Sequence, residues 1–200
     1  QAWSSAASDV YKRQNKYWSM LDEAVVNRNS PFRIPVFICA NQDEIDGRIV
    51  VLRKSDRDNN LLQFHTDYRS SKINIIKKNS NASLVFYDKE EKIQLRIKVK
   101  CIINNQNSIS KESWEKTRHI SRRCYLTDDP PGTISKDPTS GMISKLEDFN
   151  YTMEQSEEGY KNFTVIQCKI KSIEWLYLAA KGHRRAKFDF ENNNESWLVP

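Results

Sequence analysis

No stretch of this 200-residue chain approaches the roughly 20 consecutive apolar residues that a membrane-spanning helix needs. A soluble protein is expected, with no membrane partner. Cysteine is scarce, and Cys39, Cys101, Cys124 and Cys168 stand far apart with no CxxC pair. That spacing argues against a zinc site and against a disulfide framework. Cys39, Cys101 and Cys168 lie in apolar runs, as buried free thiols of a reducing compartment do. Nothing matches a zinc knuckle, a zinc finger or an RNP signature. No nucleophile–base pair, metal cluster, internal repeat or second domain stands out. Charge of one sign is not abundant either: 32 bases are interleaved with 26 acids, for a net charge of +6 and a pI near 9.1. So mild a balance fits an anionic small ligand as well as a nucleic acid.

A starting Met is also missing. QAWSSAASDVYKRQ at 1–14 has no pattern that continues beyond residue 14, and it lacks the apolar core of a signal peptide. Residues 1–14 are expected to be a non-native adaptor or tag segment, and the native N-terminus is expected to be lost. Residues 15–200 then form one domain with a cytoplasmic location.

The most informative stretch is RIVVLRKSDRDNNLLQFHTDYRSSK at 48–72. Two apolar runs, Ile49–Leu52 and Leu61–Phe64, flank an Asp/Asn-rich turn, which predicts a hairpin. The second run ends in hydroxyls and cations where a helix begins. Free N–H groups and the helix dipole favour an anion there, and a phosphate fits. On composition alone, the same residues suit a solvated hairpin.

Along the chain, apolar spacing predicts a helix over 15–28, ended by Asn29-Ser30-Pro31. A strand is expected at 34–40, a turn at 41–47, a helix capped by Ser70 or Ser71, and a strand at 82–87. IQLRIKVKCII at 93–103 alternates cleanly between core and polar positions. Residues 110–123 read as one basic helix with Ser110 as N-cap and no full capping box. A long connection over 124–162 is expected to hold one short helix near 143–149. Strands are predicted at 163–178 and 186–190. Six or seven strands joined by short turns predict a mainly β fold, a mostly antiparallel β-barrel with peripheral helices.

The order RIVVLR at 48–53, HTDYRSSK at 65–72, QLRI at 94–97 and IEWLYLAAKGHRRAKF at 173–188 resembles the pyridoxamine-phosphate oxidase family of FMN-binding split β-barrels. The likeness is nearest to a branch whose substrates are mostly unassigned, and it runs from about Trp18 to Pro200. It implies FMN as cofactor, a flavin oxidoreductase activity and a homodimer. By the resemblance, Arg48 pairs with the FMN phosphate, and the backbone of Ile49, Val50, Val51 and Leu52 holds the flavin edge. Arg53 stands where the oxidases have a lysine. His65 and Thr66 replace an aromatic-Thr pair, and Arg69, Ser70 and Lys72 supply the phosphate clamp. Gln94 meets the flavin ring, and Trp175 and Arg185 reach the flavin from the partner subunit.

The substrate side departs further. The oxidases space a Tyr, an Arg and a Ser by four on a helix, whereas this chain has Trp114, Arg118 and Arg122 at that spacing. Their Arg-x-His becomes Lys181-Gly182-His183. Arg118, Lys181 and His183 are the substrate-binding candidates, and no catalytic residue is assigned. Two rival readings remain: a flavin or ligand carrier without turnover, and a nucleic-acid-binding barrel using KTRHISRR at 116–123.

Overall fold

The computed structural model describes the backbone of residues 2–200, and side chains at residue 9 and from residue 11 onward. Helix α1 spans Ala2–Val26, longer than the 15–28 expected, and runs through part of the segment expected to be non-native. Residue 1 and the side chains of 2–8 and 10 lie outside this description. Tyr17, Trp18, Leu21 and Ala24 are buried, so α1 presents the anticipated apolar stripe to the barrel. No described helix is long and apolar enough to cross a membrane.

The described residues form nine strands: β1 Val36–Ala40, β2 Ile45–Ile49, β3 Leu52–Asp56, β4 Leu61–Asp67, β5 Asn81–Asp88, β6 Ile93–Asn105, β7 Phe163–Tyr177, β8 Arg184–Asp189 and β9 Asn194–Leu198. Their pairings are antiparallel. The main path runs β2-β1-β5-β6-β7-β4-β3, with β8 and β9 added beside β7. β2 and β3 terminate opposite ends of that path, so the fold is mainly β and the barrel is split, both as expected.

One local expectation is corrected at the split. Ile49–Leu52 is not a single strand. The chain leaves β2 after Ile49 and enters β3 at Leu52, and the Val50 N–H donates instead to the Pro35 carbonyl at 3.0 Å. Residues 45–47, expected in a turn, belong to β2. Within β6 the alternation holds: Ile93, Leu95, Ile97, Val99 and Cys101 are buried and their neighbours are not.

Helix α2 spans Ser71–Lys78 with Ser70 as N-cap. The basic helix expected over 110–123 is two helices, α3 Ser108–Glu115 and α4 His119–Arg122. Its N-cap is Asn107, not Ser110, and Ser110 completes a full capping box from the third helical position. A short α5 occupies Ser144–Glu147, inside the span anticipated. Strand β9 is an addition to the strands expected.

Candidate functional site

The loop between β4 and α2 brings two cations together. Lys72 Nζ donates to Thr66 Oγ1 at 2.7 Å and to Ser70 Oγ at 2.8 Å. Arg48, reaching across from β2, donates to Ser70 Oγ at 3.3 Å and Ser71 Oγ at 3.1 Å. Asp46 holds the other side of the Arg48 guanidinium. Lys72 is only 5% exposed and, among the described residues, pairs with no carboxylate. Burial first, and Arg48 second, push its ammonium down to about 8. A buried cation beside a second cation is costly unless an anion joins them.

The cap geometry points the same way. The Ser70 hydroxyl does not cap α2; it accepts from the two cations instead. That hydroxyl leaves the first N–H groups of α2 uncapped, at a helix end where the dipole favours negative charge. Hydroxyls, a helix N-terminus, a buried ammonium and a guanidinium are the donor set that a phosphate monoester requires.

Arg69 is placed otherwise. Its guanidinium pairs with the buried Asp67 carboxylate at 2.8 Å and donates to the carbonyls of Thr127 and Asp128 at 2.9 and 3.0 Å. It ties the 124–162 segment to the end of β4 rather than turning toward Lys72. The Asp67 hydrogen bonds hold this guanidinium in its charged form still more firmly than usual.

The flavin-side candidates divide by face. Ile49 is exposed, and Val50 and Leu52 are buried at the seam between the sheet ends. Val51 is half-buried there. Gln94 lies opposite Leu176, which lies opposite Arg185, so Gln94 and Arg185 share the outer face. Trp175 lies one residue away and therefore faces inward. Its ring is 1% exposed, and Arg13 of α1 lies 5.0 Å above it. Within one chain, then, the Trp175 ring packs into the core. Arg185 is held by Glu174, which also binds Arg96.

A cleft of about 860 Å³ opens between β3–β4 and α3–α4. Arg53 enters it from β3, where the pairing with β4 slips between Leu52 and Lys54, and such a bulge re-aims a side chain. Arg118, the N-cap of α4, enters from the other wall. His65 lines the floor and packs edge-on against Phe163 at 4.8 Å. Burial, then the charge of Arg53, depress His65 to about 3, so the ring is neutral.

Lys181 and His183 do not join this cleft. Both sit on the β7–β8 turn, and Lys181 borders a separate cavity of about 580 Å³ with Trp175 and Tyr177. Trp114 and Arg122 have also withdrawn. Arg122 is 3% exposed and donates to the carbonyls of Trp114 and Thr117 at 2.9 and 3.2 Å and to Ser156 Oγ at 3.2 Å. It also pairs with Glu157, which accepts the Trp114 indole N–H at 3.0 Å. Sequence spacing does not reveal that latch, because Glu157 lies 35 residues away.

Comparison with known proteins points the same way. Residues 14–105 match the model described as pyridoxamine 5′-phosphate oxidase, FMN-binding domain. Over these residues the chain is similar to the pyridoxamine 5′-phosphate oxidase-like, FMN-binding family. That match contains Arg48, Thr66, Ser70, Lys72 and Gln94. In fold, the chain is similar to a pyridoxamine 5′-phosphate oxidase-related, FMN-binding protein of Nostoc punctiforme, with a TM-score of 0.70, 16% identity and 95% and 97% of the two chains covered. It is similar also to PhzG of Burkholderia lata, solved with tetrahydrophenazine-1-carboxylic acid, with a TM-score of 0.70, 15% identity and 95% and 92% covered. No curated protein matches by sequence. The donor set around Lys72 fits the phosphate end of FMN.

Proposed function

We propose that the protein is an FMN-dependent oxidoreductase whose substrate differs from pyridoxamine phosphate. One observation carries the site: Lys72 is a buried ammonium beside Arg48, with two hydroxyl partners and no carboxylate in direct contact among the described residues. On this reading Arg48, Lys72, Thr66, Ser70 and Ser71 grip the coenzyme phosphate. The seam at 49–51 lies along the ring, and Gln94 donates to it. FMN, when bound, supplies the two-electron chemistry, and the protein supplies position and charge. Arg53, unpaired among the described residues at the cleft edge, stabilises negative charge on a reduced ring or on substrate.

Arg69 acts one step back, ordering the loop over the cleft. Withdrawal of Trp114 and Arg122 into the latch favours a substrate other than that of the vitamin enzyme. The exposed outer-face residues Val36, Ile49 and Tyr87 suit a second copy of the chain, giving a homodimer in which Arg185 approaches the partner's coenzyme. Three buried free thiols favour a cytoplasmic setting.

The test is the visible spectrum of the purified protein after dialysis. Retained FMN at about one per chain supports the reading, and loss of retention in Lys72→Met ties it to the grip. Colourless protein that takes up no FMN overturns it. Retained FMN that no amine, alcohol or pyridine nucleotide reduces would make the protein a carrier.

A further inference from the structure

The cleft between β3–β4 and α3–α4 carries more positive charge than its own residues neutralise. Arg53 and Arg118, on opposite walls, have no hydrogen-bond or carboxylate partner among the described residues. Arg123 joins them; its guanidinium meets only the carbonyls of Leu146 and Glu147, at 3.4 and 3.3 Å, and the face of Phe149. The one carboxylate among the described lining residues, Glu112, is taken by Lys116 at 2.6 Å. Lys54, also in the lining, pairs with Asp56. His65 is neutral. Three arginines without a carboxylate partner among the described residues therefore line one cavity, with Ser113 and Ser121 on the same walls. Like charges gathered this way repel at short range, and a polyanion relieves the repulsion.

We propose that this cleft takes a substrate bearing at least two separate acidic groups, carboxylate or phosphate. A ring with one phosphate would leave part of the charge unmet. Arginine also favours planar, two-pronged oxyanions over the point contacts that a lysine makes. The inference rests on the flavoprotein reading, because Arg53 and His65 border both the cleft and the proposed coenzyme site.

The test is calorimetric titration of the FMN-loaded protein with citrate, inorganic phosphate and acetate at one ionic strength. Citrate is expected to bind one per chain, about tenfold or more tighter than phosphate, as extra charge-assisted hydrogen bonds require. Arg118→Gln and, separately, Arg123→Gln are expected to weaken citrate by about tenfold each. Arg57→Gln, an exposed cation outside the cleft, should leave it unchanged and so controls for general attraction. A melting curve shows which variants are folded, and two independent variants keep the test decisive.

Equal affinity for the three anions, or citrate binding that survives both cleft variants, overturns the proposal. So does a single-stranded oligonucleotide that binds more tightly than citrate with steep salt dependence, since the cleft would then be a nucleic-acid face. The absorbance of the same samples separates the two readings. Retained FMN without citrate binding sinks only this inference, whereas protein that takes up no FMN sinks the flavoprotein assignment and this inference with it.

Discussion

At the scale of single residues, Lys72 makes the sharpest demand. Its folded-state ammonium sits near 8, well below the usual lysine value, because burial and Arg48 both oppose its charge. A lowered folded value means the unfolded chain holds more protons between about pH 8 and the usual lysine range near 10.4. The coenzyme-free protein should therefore gain stability as pH rises through that window. Phosphate binding has the opposite sign, since it needs the proton back. FMN affinity should hold up to about pH 8 and then fall by up to about tenfold per pH unit. Fluorescence titration of FMN at stepped pH measures this, and in Lys72→Met the dependence should vanish along with most of the affinity. Arg69 illustrates what sequence hides at this scale. Beside Ser70 and Lys72 it looks like a third phosphate ligand, yet Asp67, two residues back, is 7% exposed and claims it. Arg69→Ala would strand that buried carboxylate and should cost about 3–5 kcal/mol, read from denaturant unfolding, far more than a surface arginine would.

At the scale of elements, period-two alternation makes β6 legible almost residue by residue, because a half-buried strand writes its two faces into the sequence. Trp175 shows the limit of that signal. A tryptophan ten residues before an arginine looks like a ligand pair. The β7–β8 register, Leu176 opposite Arg185, instead sends Trp175 inward to the core of Tyr17, Trp18 and Phe188 and leaves Arg185 outside. Register across a turn is a tertiary fact. Trp175→Ala should then behave as a core deletion of about 3–5 kcal/mol, with a lowered melting temperature, while Trp175→Phe keeps FMN affinity. The break between α3 and α4 is likewise illegible, since SKESWEKTRHISRR carries no Gly or Pro to mark it. What stops the helix is Arg122 folding back onto the carbonyls of Trp114 and Thr117. Arg122→Met should loosen that latch and destabilise the second small core of Trp114, Phe163 and Val165, leaving the phosphate grip and FMN affinity intact. Equal losses of stability and FMN affinity would show that the latch and the grip are one unit.

At the scale of the molecule, the split is what matters. The two ends of the sheet, β2 and β3, are joined by two residues and yet lie on opposite flanks of the strand order. A row of partners crosses the outer face from Ile49 through Val36 and Val85 to Arg96, Glu174 and Lys187. Its first half is apolar and its second half charged. A monomer gains nothing from exposing Val36 and Ile49, at 38% and 63%, next to the seam where Arg48 and Lys72 gather. A two-fold copy would cover the apolar half and bring each Arg185 toward the other chain. Val36→Glu places a carboxylate in that half without touching the grip residues. It is expected to shift the protein from dimer to monomer in light scattering and to weaken FMN by about tenfold or more, because half of the coenzyme's surroundings would be lost. If the variant stays dimeric, or if the monomer binds FMN as tightly as the parent, the coenzyme pocket is complete within one chain and the outer face serves another purpose.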